Sequence, residues 1–558
     1  MRPSNGLRRA RAALERHGVL ALTAIALRVL RGQGLGKTVR LAAGDQPFLS
    51  LVSARAEGAA KSDRRGALQI DGGGTVSASA WARWVRRPSA RSGRSSGRRC
   101  PVAFVVWTDP ESPDGLERTR KAIDALGSSL AVIEDADFTP APEILYIFLR
   151  AGDAPDAGFV QALDADLDGA IQIVSFDLLR LIGERVQPLL LPGANPTQLI
   201  HTDYVRSRLA LKGSVLLEVA SRAPREATLA WCARRSVAEV RSGWRHIGRP
   251  LLRIEQSEDG LSAGSSRSVQ RASPRAVPRA RRGASAIICT RDKGHLTRQL
   301  VRQLLALDKD QLAEVVILSN GATNPYALQT LADLAAAPRV RVIAADEPFN
   351  FSRLCNRGVR ETRGQGPLLF LNDDIAPVSE NWLGALADQL MVPGTGAVGP
   401  LLLYPNEKVQ CAGIYLRFPS GVGHILRGAV LPQEDPLGLA SSPREAACLT
   451  GAVLLTDRAT FERVGGFDEA LALSFQDVDY GLKLHQLGLR NVFEPRSILL
   501  HMESVSLDKA GSDPGMLLQR HREKALFMQR WGPVFGADPF YPAGLDLDDE
   551  SGRRLSRR

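Results

Sequence analysis

Between residues 284 and 374, short and almost wholly apolar runs alternate with helical stretches, and this alternation constrains the fold more than any other feature of the chain. The runs are "ASAIICT" (284–290), "EVVILSN" (314–320), "VRVIAAD" (340–346) and "PLLFLNDD" (367–374). Between them lie "LTRQLVRQLLAL" (296–307), "PYALQTLADLAA" (325–336) and "FSRLCNRGVRET" (351–362). Strands that are apolar on both faces, separated by helices, predict a parallel sheet covered on both sides. Ligands bind such sheets beyond the carboxyl ends of the strands. Thr290, Arg291, Ser319, Asn320, Asp346 and the run Asn372, Asp373, Asp374 all fall at those ends.

The tip of the last run carries the chemistry. In "LLFLNDDIAPVSENWLGAL" (368–386) two adjacent carboxylates close an apolar strand. They could solvate a turn or cap the helix that starts near Ser379. They could also hold a divalent Mg or Mn ion, which takes hard oxygen ligands and usually shares one or two carboxylates with substrate phosphates. Downstream, "VGGFDEALALSFQDVDYGLKLHQLGLR" (464–490) places Gln476, Asp477 and Asp479 in a first helical turn. The helix macrodipole favours acids there, and a carboxylate so placed could also accept a proton from an attacking hydroxyl. "NVFEPRSILLHMESVS" (491–506) predicts a strand ending at His501, either a structural histidine or a third contact to metal or phosphate.

Together these segments resemble the inverting GT-A glycosyltransferases of family two, especially the branch that builds bacterial O-antigen and rhamnose-containing polysaccharides. The resemblance runs in order through "AIICTRD", "VVILSNGATNP", "PFNFSRLCNRGVR", "LLFLNDDIAPVSENWL", "GAVGPLLLYPNEKVQCAGI", "LTGAVLLTDRATFERVGGFDE", "FQDVDYGLKLHQLG" and "LLHMES", within 284–506. It implies an α/β fold of GT-A type, a Rossmann-like mixed sheet, over residues 284–535. It also implies that "NDDI" stands at the D-x-D motif. Asp374 and His501 would then be metal ligands, and Asp477 the general base. Thr290, Arg291, Asn320, Asp346, Asn372 and Asp373 would line the nucleotide-sugar pocket. The implied cofactor is Mg2+ or Mn2+, and the implied partners are a nucleotide-diphosphate sugar donor and a glycan or lipid-linked acceptor. Two departures stand out: Asn372 replaces the motif's first acid, and Ser319 stands where family members usually carry one.

Residues 100–264 read as a worn copy of the same unit. "PVAFVVWTDP" (101–110) echoes "AIICTRD", and "YIFLRAGDAPDAGFVQAL" (146–163) follows the spacing of "LLFLNDDIAPVSENWLGAL". In that register Arg150 takes the place of Asn372, Ala151 of Asp373 and Gly152 of Asp374. An arginine cannot hold a cation, and "PREATLAW" (224–231) offers only Glu226 as a base. The segment "PLLLPGANPTQLIHTDYVRSRLALKGS" (188–214) also resembles the degenerate first domain of two-domain family members. This half is therefore expected to be a second, degenerate α/β domain that docks an acceptor or a partner.

The net charge of +12 invites a nucleic-acid reading, but its location argues against one. Residues 82–99 hold seven arginines and residues 265–283 six, with no acid in either stretch, which accounts for the whole excess. Both are rich in Ser, Pro or Gly and read as tethers between domains. The remainder is near neutral and needs no basic binding face. "GVLALTAIAL" (18–27), within the N-terminal region 1–81, is too short to span a membrane. It reads as an ordinary amphipathic helix or as one lying on an anionic inner-membrane surface from the cytoplasmic side. Residues 536–558 read as a C-terminal tail. The six cysteines form no C-x-x-C pair, which suits a reducing cytoplasm. "GQGLGKT" (32–38) is not a phosphate loop, because Arg31 stands where its first glycine belongs.

The leading expectation is thus a metal-dependent transferase acting on a cell-surface polysaccharide or lipid-linked glycan, with rhamnose the candidate sugar. The alternative is a non-catalytic scaffold that holds glycan or partner proteins. A nucleotidyltransferase would want a glycine-rich, lysine-bearing loop after the first strand, whereas "CTRDKGHL" has one of each.

Overall fold

The structure, a computed structural model, describes residues 68–85, 101–254 and 283–556, with breaks at 72–73, 109–112, 128–129, 135–137, 167–168, 308–309, 418–420, 436, 503–513 and 534–537. The stretch 18–27, Cys100, all but the last residue of the tether 265–283 and most of the tether 82–99 lie outside the described residues. The described residues all belong to one contact unit, 67–558.

The amino-terminal lobe is built on β2 (Val76–Ser77), β3 (Val102–Trp107), β4 (Ala131–Glu134), β5 (Leu145–Arg150), β6 (Ala154–Pro155), β7 (Ile173–Ile182), β8 (Arg185–Leu189), β9 (Ala210–Lys212) and β10 (Trp244–Ile254); a short β1 (Leu68–Gln69) precedes them. The carboxyl-terminal lobe carries β11 (Ala284–Thr290), β12 (Leu312–Ser319), β13 (Val340–Ala344), β14 (Leu368–Asn372), β15 (Ile375–Pro377), β16 (Thr395–Leu403), β17 (Val409–Cys411), β20 (Arg444–Ala446), β21 (Val453–Thr456) and β22 (Arg490–His501) in one sheet. A hairpin of β18 (Ile414–Arg417) and β19 (Gly421–His424) stands beside it. The last strand, β23 (Arg554–Leu555), returns to pair with β1.

The apolar runs behave as a doubly covered sheet requires. Alternate side chains of β11 and β14 enter opposite cores, Ile287 and Phe370 on one face and Ile288 and Leu371 on the other. A period of two along the strand produces this division.

The two sheets repeat each other strand by strand. In the second, β12, β11 and β14 run parallel; β21 then turns antiparallel and is followed by β16, β22 and β15. In the first, β4, β3 and β5 run parallel, then come β9, β7, β10 and β6 with the same directions. Among the described residues the first sheet has no counterpart of β13 or of β20. Registers agree as well. Trp107 pairs with Arg150 as Cys289 pairs with Asn372. Leu252 lies opposite Pro155 as Leu499 lies opposite Pro377, so Ile254 falls at the position of His501.

The lobes share a hydrophobic core. Ile70, Trp81, Leu179, Val186 and Leu190 pack in the same cluster as Leu426, Tyr541 and Leu545. Residues 538–556, read from sequence as a tail, close this cluster. Tyr541 stacks on Tyr415 with centroids 4.1 Å apart, and Asp538 accepts from the Leu416 N–H at 2.7 Å. The tail carries no hydrophobic periodicity of its own, because its contacts are to strands more than a hundred residues upstream.

Candidate functional site

The apolar body of β14 fixes the strand in the core and delivers Asn372, Asp373 and Asp374 to its carboxyl end beside that of β11. Both carboxylates are buried, at 7% and 5% exposure. Burial alone would push such groups toward the neutral form. For Asp373 burial prevails and the neighbouring Asp374 adds to it, so its carboxyl is raised despite Lys293. For Asp374 burial is outweighed by the His501 imidazole and the Lys293 ammonium together, which hold its carboxyl below the usual carboxylate range.

Lys293 donates to Asp373 Oδ1 at 3.2 Å and to Asp374 Oδ2 at 3.1 Å. Its own burial disfavours the ammonium, yet the two carboxylates keep its pKa raised. Thr290 turns its hydroxyl inward to Asp373 Oδ2 at 2.8 Å. Antiparallel pairing of Ile375 with His501 brings the end of β22 to the tip of β14. There His501 Nε2 lies 3.2 Å from Asp374 Oδ1 and 3.4 Å from Asn372 Nδ2. On the other side of the ring, Gln410 Oε1 accepts from Nδ1 at 2.7 Å. With Nδ1 so engaged, Nε2 meets the Asp374 oxygen either as a second ring N–H donor or, unprotonated, as one of two acceptors. Two acceptors at this distance call for a positive charge between them, either a ring proton or a bound cation.

Asp477 opens the helix Gln476–Gln486. Its Oδ2 accepts from the Gly451 N–H at 2.7 Å and its Oδ1 from the Val478 N–H at 2.9 Å. The residue after Gly451 completes the link, because the Ala452 carbonyl accepts from the Asn372 N–H at 2.9 Å. Two consecutive residues therefore tie Asp477 to the strand tip that carries Asp373 and Asp374. Burial raises the Asp477 carboxyl, opposed but not cancelled by those two N–H groups.

The remaining positions singled out in sequence lie around the same edge. Arg291 is exposed and donates to the Gly321 carbonyl at 3.2 Å. Asp346 accepts from the Gly321 N–H at 3.0 Å. Asn320 is buried, and its amide donates to the carbonyls of Ala345 and Glu347 at 2.6 and 2.8 Å, so it holds the chain after β13. Lys293, Gln410 and Gly451 are the site residues that sequence reasoning did not single out. In the first lobe the three acid and histidine positions hold Ala151, Gly152 and Ile254. The residue after Gly152, Asp153, stands at the position of Ile375 and is spent on a buried ion pair with Arg208 at 2.8 Å.

Residues 285–434 match the family model described as Glycosyl transferase family 2. The chain carries a family-2 glycosyl transferase domain. Its mixed, Rossmann-like sheet is of the GT-A type. Over 357 residues the chain is 31% identical to the O-antigen biosynthesis protein RfbC of Myxococcus xanthus, covering 58% of this chain and 28% of that protein. It is 31% identical over 269 residues to the uncharacterized protein y4gI of Sinorhizobium fredii, covering 47% and 29%. It is 27% identical over 248 residues to an N-acetylglucosaminyl-diphospho-decaprenol L-rhamnosyltransferase of Mycobacterium tuberculosis, covering 41% and 78%. The chain thus spans less than a third of the length of the first two relatives. A solved structure of GalNAc-T7 with UDP, GalNAc and Mn2+ aligns at a TM-score of 0.35 and 17% identity over 40% of this chain and 44% of that one, too distant to bear on ligands.

Proposed function

We propose that the family-2 domain transfers a sugar, with L-rhamnose the candidate, from a nucleotide-diphosphate donor to a lipid-linked or growing cell-surface glycan, with inversion at the sugar carbon. One observation carries the reading: Asp374 faces His501 at 3.2 Å at a strand tip to which Gly451 and Ala452 fasten Asp477. The O-antigen and rhamnosyltransferase names of the relatives favour the substrate class.

The donor set fits a divalent ion. Among the described residues no group of three or more His, Cys, Asp or Glu side chains forms a metal cage. Asp374 and His501 instead offer a half-shell of the kind that Mg2+ or Mn2+ completes with substrate phosphates. When bound there, such an ion supplies Lewis-acid stabilisation of charge on the leaving diphosphate. Gln410 orients the histidine for that task, as hydrogen-bonded second partners of metal-binding imidazoles do. Lys293 brings a second positive charge to the same edge. Asp477, its carboxyl raised by burial, takes the proton of the acceptor hydroxyl as that oxygen bonds to the sugar carbon and the diphosphate departs. Arg291, Asp346 and Asn372 line the donor side, while Thr290 and Asn320 hold its walls.

No helix among the described residues is long and apolar enough to cross a membrane. A lipid-linked acceptor would then be met at the surface, on the cytoplasmic face of the inner membrane.

Isothermal titration with dTDP-rhamnose and UDP-sugars, with and without Mn2+, tests the donor half of this reading. Transfer to N-acetylglucosaminyl-diphospho-decaprenol tests the acceptor half. Metal-dependent binding of one nucleotide sugar is expected, and its absence for every donor would leave a scaffold instead.

A further inference from the structure

The helix that bears Asp477 begins from an unfavourable backbone conformation. Phe475, the residue before it, has φ 66° and ψ 0°, a left-handed conformation that a bulky side chain rarely adopts. Such strain persists only where the surroundings over-determine it. Here one element supplies much of that support, the C-terminal helix Pro514–Trp531, which lies wholly outside the residues matched by the family model.

Three attachments from this helix bracket Asp477. Before it, the Glu523 carboxylate, 2% exposed, accepts from the successive N–H groups of Ala472, Leu473 and Ser474: Oε1 at 3.0 and 3.2 Å from the first two, Oε2 at 3.1 and 2.8 Å from the last two. At the strained residue, the Phe527 ring stacks on Phe475 with centroids 4.7 Å apart. After it, Arg530 and Trp531 donate to Asp479 Oδ1 at 2.5 and 2.9 Å. The same loop is tied from its other side, where Ala472 and Leu471 offer their carbonyls to the Phe351 N–H and the Ser352 hydroxyl at 2.9 and 2.6 Å. A buried carboxylate that gathers three consecutive amides fixes the path of the chain, since without it the buried Ala472 N–H and the part-buried N–H groups of Leu473 and Ser474 would lose their acceptor.

We propose that Glu523 is a positioning residue for Asp477: it sets the loop 472–475 so that Phe475 stays left-handed and the carboxylate faces the acceptor. This rests on the general-base reading above.

The test compares Glu523→Gln, Asp477→Asn and the double variant in the full chain, with the donor and lipid-diphosphate acceptor named above. Glu523→Gln is expected to lower kcat about tenfold or more with Mn2+-dependent dTDP binding unchanged. The double variant is expected to be no slower than Asp477→Asn, because a residue that acts through another adds nothing once that one is gone. Amide hydrogen exchange over 472–479 should quicken in Glu523→Gln while that of β11–β14 stays as in the wild type, a readout independent of substrate. If the amide variant does not fold, Glu523→Asp, which keeps the charge on a shorter arm, replaces it and should fall between the two. Additive losses, a lowered Tm with wild-type kcat, or unchanged exchange over 472–479 would each overturn the positioning role. Wild-type turnover in Asp477→Asn, or no turnover by the wild type, would strike the general-base reading itself.

Discussion

The Asn195 side chain pairs with both backbone groups of Glu445, accepting from its N–H at 3.0 Å and donating to its carbonyl at 3.1 Å, as a neighbouring strand would. The contact crosses from one lobe to the other and ends on β20. The chain from β20 runs directly to Gly451, the residue that holds Asp477. Thr197 and Arg241 also reach the Glu445 carboxylate from the first lobe, at 3.3 and 3.7 Å. Replacing Asn195 with alanine strands a buried N–H, at a cost of about 1–3 kcal/mol. The full chain should melt several degrees lower by calorimetry, and residues 283–558 made alone should be insoluble or molten. A wild-type Tm in Asn195→Ala would show the bridge to be idle.

A close backbone approach makes a second prediction about the same boundary. A Cβ on Gly193 would lie 2.1 Å from the Pro539 carbonyl oxygen. Since that atom is backbone and cannot swing aside, Gly193→Ala should force the C-terminal segment away and cost about 1–3 kcal/mol, the usual scale of overpacking. Chemical denaturation reads this directly as a lower midpoint at unchanged slope.

Metal binding should follow the Asp374–His501 pair. Asp374→Asn and His501→Ala are each expected to abolish Mn2+-dependent nucleotide binding in titration. Gln410→Leu keeps both ligands but frees the ring, and should weaken the metal by about 10–100-fold. Equal Mn2+ affinity in all three would place the ion elsewhere.

For Asp477 the expectation has a sign in pH. The group must be ionised to take a proton, and burial raises its pKa. Activity should therefore be full above the raised value and be lost as pH falls through it, at milder acidity than an ordinary aspartate near ~3.9 would show. Asp477→Asn should keep donor binding and lose turnover by ~10²-fold or more. A pH–rate profile flat down to the ordinary carboxylate range would argue for a different base.

How far these features could be read from the chain depended on their range. The apolar runs that became β11 to β14, and the acids closing "LLFLNDD", announce themselves locally, because strand periodicity and a polar tip are contained within a few residues. The register that matched Arg150, Ala151 and Gly152 to Asn372, Asp373 and Asp374 was legible for the same reason, since a shared spacing of F-L and A-P fixes it. Gln410, Gly451 and Glu523 were not legible. Each acts through a hydrogen bond to a residue 26 to 91 positions away, and an isolated glutamine, glycine or glutamate in its own neighbourhood carries no mark of that. Lys293 stood in plain view three residues beyond Thr290, but as a single lysine after a strand it reads as solvated until the two carboxylates are seen around it.

Gly152 sits at φ 98°, a conformation open to glycine and strained for aspartate, whereas Asp374 in the second lobe needs no positive φ. The backbone at this turn of the first lobe therefore differs from that of the second, as its side chains do. An aspartate at 152 would be strained by that turn and would stand next to the buried Asp153, which is already paired with Arg208. A single substitution toward the second lobe's sequence would therefore meet backbone resistance before any question of chemistry arose, so stereochemistry as well as side-chain identity separates the two strand tips.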